Sequence, residues 1–218
     1  MNLSFLFGIG LIVSAYLLGG VPFGLVISKK LWGVDPRAGG SGGIGFTNVM
    51  RTVNKKAAFL TLLLDTLKGT LPVTVSRLAG LSTGWISAIA LTAILGHIFS
   101  PYLKFKGGKG IATGFGVVLG ISPVAFLAIF FLWNAVYFIW KYSSLAGLIS
   151  FSFLPLVFWF SGGRAFIPFS FLLMALIYYR HIDNIKRLLS GEEKRMSSSP
   201  VPAKRLTFKI KPDRLKKQ

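Results

Sequence analysis

The chain has 218 residues, of which 53% are hydrophobic and only 14% charged, yet its formal net charge is +19. Its mean hydropathy is +0.65 and its charged fraction lies well below the roughly 25% of soluble domains, which excludes a soluble globule and indicates a polytopic membrane protein. The absence of cysteine removes disulfides, thiolate metal sites and thiol catalysis. In chain order the apolar stretches Leu3–Ser28, Ala57–Arg77, Trp85–Ser100, Gly110–Gly120, Pro123–Trp140, Ser144–Ser161 and Ala165–Tyr179 predict an all-α membrane protein with seven transmembrane helices. The fourth is short, because Gly120-Ile121-Ser122-Pro123 breaks a run too long for one pass. The first lacks a basic leader and an obvious cleavage site, so it is read as a retained helix rather than a signal peptide.

Basic residues are confined to the gaps. None lies between Met1 and Ser28, Gly110 and Trp140, Tyr142 and Gly163, or Ala165 and Tyr179. Lys29, Lys30, Arg37, Arg51, Lys55, Lys56, Lys104, Lys106, Lys109, Lys141 and the tail fall on one side of the seven-span layout, leaving Arg77 and Arg164 on the other. By the positive-inside rule the basic side is cytoplasmic, with the N-terminus outside and the C-terminus inside. This placement favours a juxtamembrane surface facing anionic lipid and anionic substrates, and no nucleic acid. Residues 190–218 read as a poorly ordered basic cytoplasmic tail, with Leu206–Ile210 as an optional short strand.

Two glycine-rich loops share the cytoplasmic side. The first runs Gly39-Gly40-Ser41-Gly42-Gly43-Ile44-Gly45-Phe46-Thr47-Asn48 and leads to Arg51. The second is Lys106-Gly107-Gly108-Lys109-Gly110. Small residues let backbone amides approach phosphate oxygens while fixed cations neutralise them, so both loops are expected to cradle phosphate. Gly107–Gly110 lacks the spacing of a nucleotide-binding P-loop.

Asp65 and Lys68 lie three apart in an otherwise apolar helix and so share a face. Ionisable groups at that depth pair or line a polar cavity; an internal ion pair and a brace for the substrate loops are both open. His97, just before the second loop, is either a helix-end anchor or a substrate contact. His181 and Asn184, beside Arg180, face one way at the inner end of the last span. The six acidic residues form neither a carboxylate pair nor a metal cluster, so no metal and no cofactor is expected.

These motifs resemble those of the bacterial acylphosphate-dependent glycerol-3-phosphate acyltransferase family of integral membrane enzymes. The resemblance covers about residues 10–195 and rests on Pro22-Phe23-Gly24, Gly40-Ser41-Gly42 with Thr47-Asn48 and Arg51, Asp65-x-x-Lys68-Gly69, Gly96-His97 with Phe105–Gly110, and Arg180-His181-x-x-Asn184-Ile185-x-Arg187-Leu188-Leu189. Gly43 and Phe46 depart from it, where the family usually has Asn and Ala. It implies acyl transfer from acyl phosphate to the 1-hydroxyl of sn-glycerol 3-phosphate, giving lysophosphatidic acid and inorganic phosphate in the first step of phospholipid synthesis at the cytoplasmic face of the inner membrane.

On that resemblance residues 1–189 form the transmembrane acyltransferase domain, working as a monomer among membrane lipids. Ser41, Arg51, Lys109, His181 and Asn184 are the expected catalytic set. Gly42, Gly43, Thr47, Asn48, His97, Lys106, Gly107, Gly108 and Gly110 are expected to bind substrate, with Asp65 and Lys68 as a structural ion pair. Acyl phosphate is a mixed anhydride with a good leaving group, so the chemistry needs positioning and charge stabilisation more than a strong base. The hydroxyl proton has two candidate acceptors, His181 and a substrate phosphate oxygen. A transporter for an organic phosphate anion is the alternative, and it leaves unexplained why the anion ligands gather on one face.

Overall fold

Proline at position 22 has no N–H and disfavours a helical residue before it, so the first apolar run is not one helix. α1 spans Leu3–Gly20 and α2 restarts at Phe23 and ends at Trp32. The computed structural model describes residues 3–196, and every regular element among them is helical. α3 (Phe46–Thr52) follows the first glycine loop and leads into α4 (Lys55–Leu78) and α5 (Thr83–Ile98). After the second loop come α6 (Ile111–Ile121), α7 (Pro123–Trp140), α8 (Ser143–Ser152), α9 (Leu154–Phe160), α10 (Ile167–Arg180) and α11 (Ile182–Leu189).

α1, α4, α5 with the turn to Leu103, and α7 are each long and apolar enough to cross a membrane. α8 with α9, bent by 41°, and Arg164–Arg180 with α11, bent by 65°, qualify only as pairs. Length and composition therefore support four to six crossings among the described residues, where the sequence reading counted seven. The difference is α6: eleven residues rise about 16 Å, roughly half of a ~30 Å hydrocarbon core. The expected break at Ser122-Pro123 does separate it from α7, with the Ser122 hydroxyl capping the Ala125 amide.

Glycines set how closely the helices approach. A Cβ on Gly116 of α6 would sit 2.0 Å from the Thr66 carbonyl oxygen of α4, and one on Gly69 of α4 would sit 2.5 Å from that of Thr113. Thr70 and Arg77 of α4 donate to the carbonyls of Gly116 and Gly120 at 3.0 and 2.8 Å. α1 and α5 meet in the same way, Gly19 against Ala93 and Gly96 against Tyr16. This is the small-residue packing expected where apolar association has no aqueous driving force. Ile89, Ile94, Val117, Phe151, Phe158 and Leu173 fill the core, while Phe59, Phe131, Phe138, Phe160 and Phe171 point outward. Apolar side chains outside and charged ones inside suit a hydrocarbon solvent.

Candidate active site

Asn48 organises the first loop. Its amide donates to the carbonyls of Pro36 and Gly43, both at 2.7 Å, and its oxygen accepts the Ser41 amide at 2.8 Å. The side chain is buried with its hydrogen bonds taken inside the loop, so it shapes the site where direct substrate contact was expected. Gly40 and Gly42 have φ of +62° and +69°, a region that favours glycine, and a Cβ on Gly40 would collide with Asn48. Among the described residues no carbonyl accepts from the amides of Gly43, Ile44 or Gly45, and Ser41 is exposed. Thr47 donates its hydroxyl to Ser143 at the start of α8, at 3.1 Å.

The second loop corrects the sequence reading. The Gly107 and Gly108 amides, expected to meet phosphate, donate instead to the carbonyls of Ile98 and His97 at 2.9 and 3.0 Å. The carbonyls of Gly108 and Gly107 accept from Arg180 at 3.2 and 3.3 Å. The loop is thus clamped between the end of α5 and the end of α10. Glycine is needed for that fit, because a Cβ on Gly107 would lie 2.0 Å from the His97 oxygen and one on Gly108 2.1 Å from its Nε2. Lys106 is exposed. The clamp delivers Lys109.

Lys109 donates through Nζ to Oδ1 of Asn184, and burial among Arg187, Arg180 and Arg51 lowers its pKa to about 8 against the pull of Glu193. The Asn184 amide donates to Oε1 of Glu193 at 2.7 Å, Ser144 donates to the same oxygen at 2.7 Å, and Arg187 donates to Oε2 at 2.8 Å. Burial alone would raise the Glu193 carboxyl; these three donors hold it below its ordinary value. Arg51 donates to the carbonyls of Lys194 and Arg195 at 2.8 and 3.2 Å, while its Nε is buried with no partner among the described residues. Burial also lowers the Arg51 guanidinium, which stays a cation throughout the physiological range. His181 is buried and pairs its Nδ1 with the Ile177 carbonyl at 2.8 Å. A carbonyl only accepts, so Nδ1 carries the proton and Nε2 the lone pair.

Sequence reasoning missed Ser143, Ser144, Arg180 as a loop clamp and, above all, Glu193. It assigned 190–218 to a poorly ordered tail, but residues 191–196 fold back on the site: Glu192 and Glu193 donate their amides to the Arg187 carbonyl, and Met196 donates to that of Lys141. The signal was present in chain distance alone, since Glu193 follows Asn184 and Arg187 by nine and six residues. Leu206–Ile210 lies outside the described residues.

Deeper in the protein Asp65 and Lys68 pair at 2.7 Å with side chains 3% and 1% exposed. Nζ of Lys68 also donates to the Val21 carbonyl at 2.9 Å, at the break between α1 and α2. His97 Nδ1 faces Asp65 Oδ1 at 3.9 Å. Among the described residues no group of three His, Cys, Asp or Glu could hold a metal ion.

Residues 9–191 match the family model for glycerol-3-phosphate acyltransferase. The chain belongs to the glycerol-3-phosphate acyltransferase family. Curated relatives bearing that name include one from Geotalea daltonii, 43% identical over 84% of this chain and 94% of the relative. Another, from Thioalkalivibrio sulfidiphilus, is 45% identical over 86% and 93%. The crystal structure of PlsY, an integral membrane glycerol 3-phosphate acyltransferase, in its glycerol 3-phosphate form superposes with a TM-score of 0.82 at 39% identity, covering 86% of this chain and 94% of that one. Its lysophosphatidic acid form gives 0.81 at 38%. The present acyltransferase is therefore a membrane enzyme whose family-matched span, residues 9–191, includes both glycine loops, the Asp65–Lys68 pair and most of the Lys109 network.

Proposed function

We propose that the enzyme transfers a fatty acyl group from acyl phosphate to the 1-hydroxyl of sn-glycerol 3-phosphate, releasing lysophosphatidic acid and inorganic phosphate at the first step of phospholipid synthesis. One observation carries the reading: Arg51, Lys109 and Arg187 gather around Asn184 and the Glu193 segment at the basic end of the helices, and the Thr47–Ser143 bond ties the end of the first glycine loop to the neighbouring Ser144. Such a set fits two neighbouring phosphates, with arginine supplying bidentate forks and lysine a compact charge. The related PlsY, solved in glycerol 3-phosphate and lysophosphatidic acid forms, supports the same substrate here. Arg51 and Lys109 hold phosphate, Ser41 and Thr47 border the cradle, and His181 and Asn184 orient glycerol phosphate.

In the reaction the substrate hydroxyl oxygen bonds to the acyl carbon, the acyl–phosphate C–O bond breaks, and inorganic phosphate departs. The hydroxyl proton passes to His181 Nε2 or to a phosphate oxygen. The cations stabilise charge that grows on the leaving phosphate. The enzyme acts as a monomer in the inner membrane with this site toward the cytoplasm. Seven traverses with the N-terminus outside are supported by the basic asymmetry and by the contacts that join 39–48, 106–110, 141–144 and 180–196 at one end.

Purified protein in lipid vesicles, given acyl phosphate and glycerol 3-phosphate, is expected to release phosphate only when both are present, to persist in excess EDTA, and to use acyl-CoA poorly. Glycerol-phosphate flux without acyl transfer, or activity that chelation abolishes and a metal restores, would overturn the reading.

A further inference from the structure

Asp65, Lys68 and His97 form a buried trio, each at most 5% exposed. It is nonetheless connected to the site by an unbroken series of contacts. Lys68 fixes one end by joining Asp65 to the Val21 carbonyl at the α1–α2 break. Asp65 Oδ1, paired with Lys68 Nζ at 2.7 Å, lies 3.9 Å from His97 Nδ1, which has no hydrogen-bond partner among the described residues. The carboxylate gives the buried imidazole an electrostatic partner, so the orientation of the His97 ring depends on it. The other edge of the His97 ring lies against Gly108, while the backbone carbonyls of His97 and Ile98 hold the amides of Gly108 and Gly107. The next residue is Lys109.

We propose that Asp65 is a positioning residue for acyl transfer: through His97 it fixes the Gly107–Gly108 strap and thereby the direction in which Lys109 presents its ammonium group. The inference rests on the reading of Lys109 as a phosphate ligand. A carboxylate near Nδ1 favours the tautomer that carries its proton there, which leaves Nε2, on the edge of the ring nearest Gly108, without a hydrogen. Arg180 holds the strap from the opposite side through its carbonyls. The strap is therefore gripped from two sides, and loosening the α5 side leaves Lys109 tethered but misdirected. A misplacement of about 1 Å can cost roughly 10²-fold in rate.

The test is a double-mutant cycle on the full chain in lipid vesicles, reading kcat/KM for glycerol 3-phosphate by phosphate release. Asp65→Asn is expected to lower kcat/KM by about 10- to 100-fold, and that loss is expected to vanish in the Lys109→Ala background, because there is then no ammonium to misdirect. Asp65→Leu with Lys68→Met keeps the reading accessible if the single variant folds poorly. An apolar pair of similar volume often replaces a buried ion pair without loss of stability, and the Val21 carbonyl keeps its bond from the Phe23 amide. This pair should unfold near the parent temperature yet show the same loss and the same non-additivity. An equal loss in both backgrounds, or full activity in the stable apolar pair, would overturn the inference. Near-normal kcat/KM in Lys109→Ala alone would instead remove the site reading beneath it, so the two failures are distinct.

Discussion

Lys109 is cationic only because its surroundings compete. Burial and three guanidinium groups push against the charge while Glu193 and the Asn184 oxygen favour it, leaving the pKa near 8. Since the protonated form is the one that attracts phosphate, kcat/KM for glycerol 3-phosphate is expected to be flat below about pH 8 and to fall above it. A bound phosphate raises the same pKa, so kcat should break at higher pH than kcat/KM, which reports the free enzyme. A pH–rate profile with no break between pH 7.5 and 9.5, or one unchanged in Lys109→Arg, would show that another group sets the charge. Arg51 differs, because its charge persists at any such pH. Arg51→Ala should lower kcat/KM by orders of magnitude at every pH, as an unneutralised phosphate in a partly desolvated site costs several kcal/mol. Thermal unfolding measured alongside separates this loss from misfolding.

At the scale of elements, the contact between α4 and α6 fixes the place of the short apolar helix before α7. α6 is too short to be held by length alone, so its position depends on close approach through Gly69, Gly116 and Gly120 and on the bonds from Thr70 and Arg77. Gly116→Ala places a Cβ 2.0 Å from a backbone oxygen that cannot swing aside. We expect a loss of roughly 1–3 kcal/mol from overpacking, seen as a lower unfolding temperature in detergent, with the substituted protein losing activity in parallel. Gly10→Ala in α1, where a Cβ meets nothing within 4 Å, is the matched control and should leave the temperature unchanged. The same logic governs the second glycine loop. Its glycines were read from the sequence as amide donors for phosphate, but glycine is equally what a strap needs to lie flat against a helix end.

At the scale of the whole molecule, the site exists because four connections meet at one end of the helices. Single cysteines introduced at Ser41, Ser82 and Ser122, in a chain with none of its own, test the proposed orientation. Only positions 82 and 122 should react with an impermeant thiol reagent in intact cells, and labelling at position 41 from outside would reverse the layout. Composition and the spacing of Lys and Arg were enough to read a helical membrane protein with a basic end, because hydropathy and charge partition locally into lipid or water. The glycine motifs and the Asp65–Lys68 pair were likewise legible, since helical periodicity alone puts residues three apart on one face. Which groups meet was not legible. Asn48 turning inward, the Gly107 and Gly108 amides docking on α5, and Glu193 returning across Asn184 and Arg187 all depend on contacts between segments distant in sequence or on where a chain end turns back. Sequence fixes a residue's chemistry and its local face, but only the packed helices decide whether its hydrogen bonds are already taken or remain for a substrate.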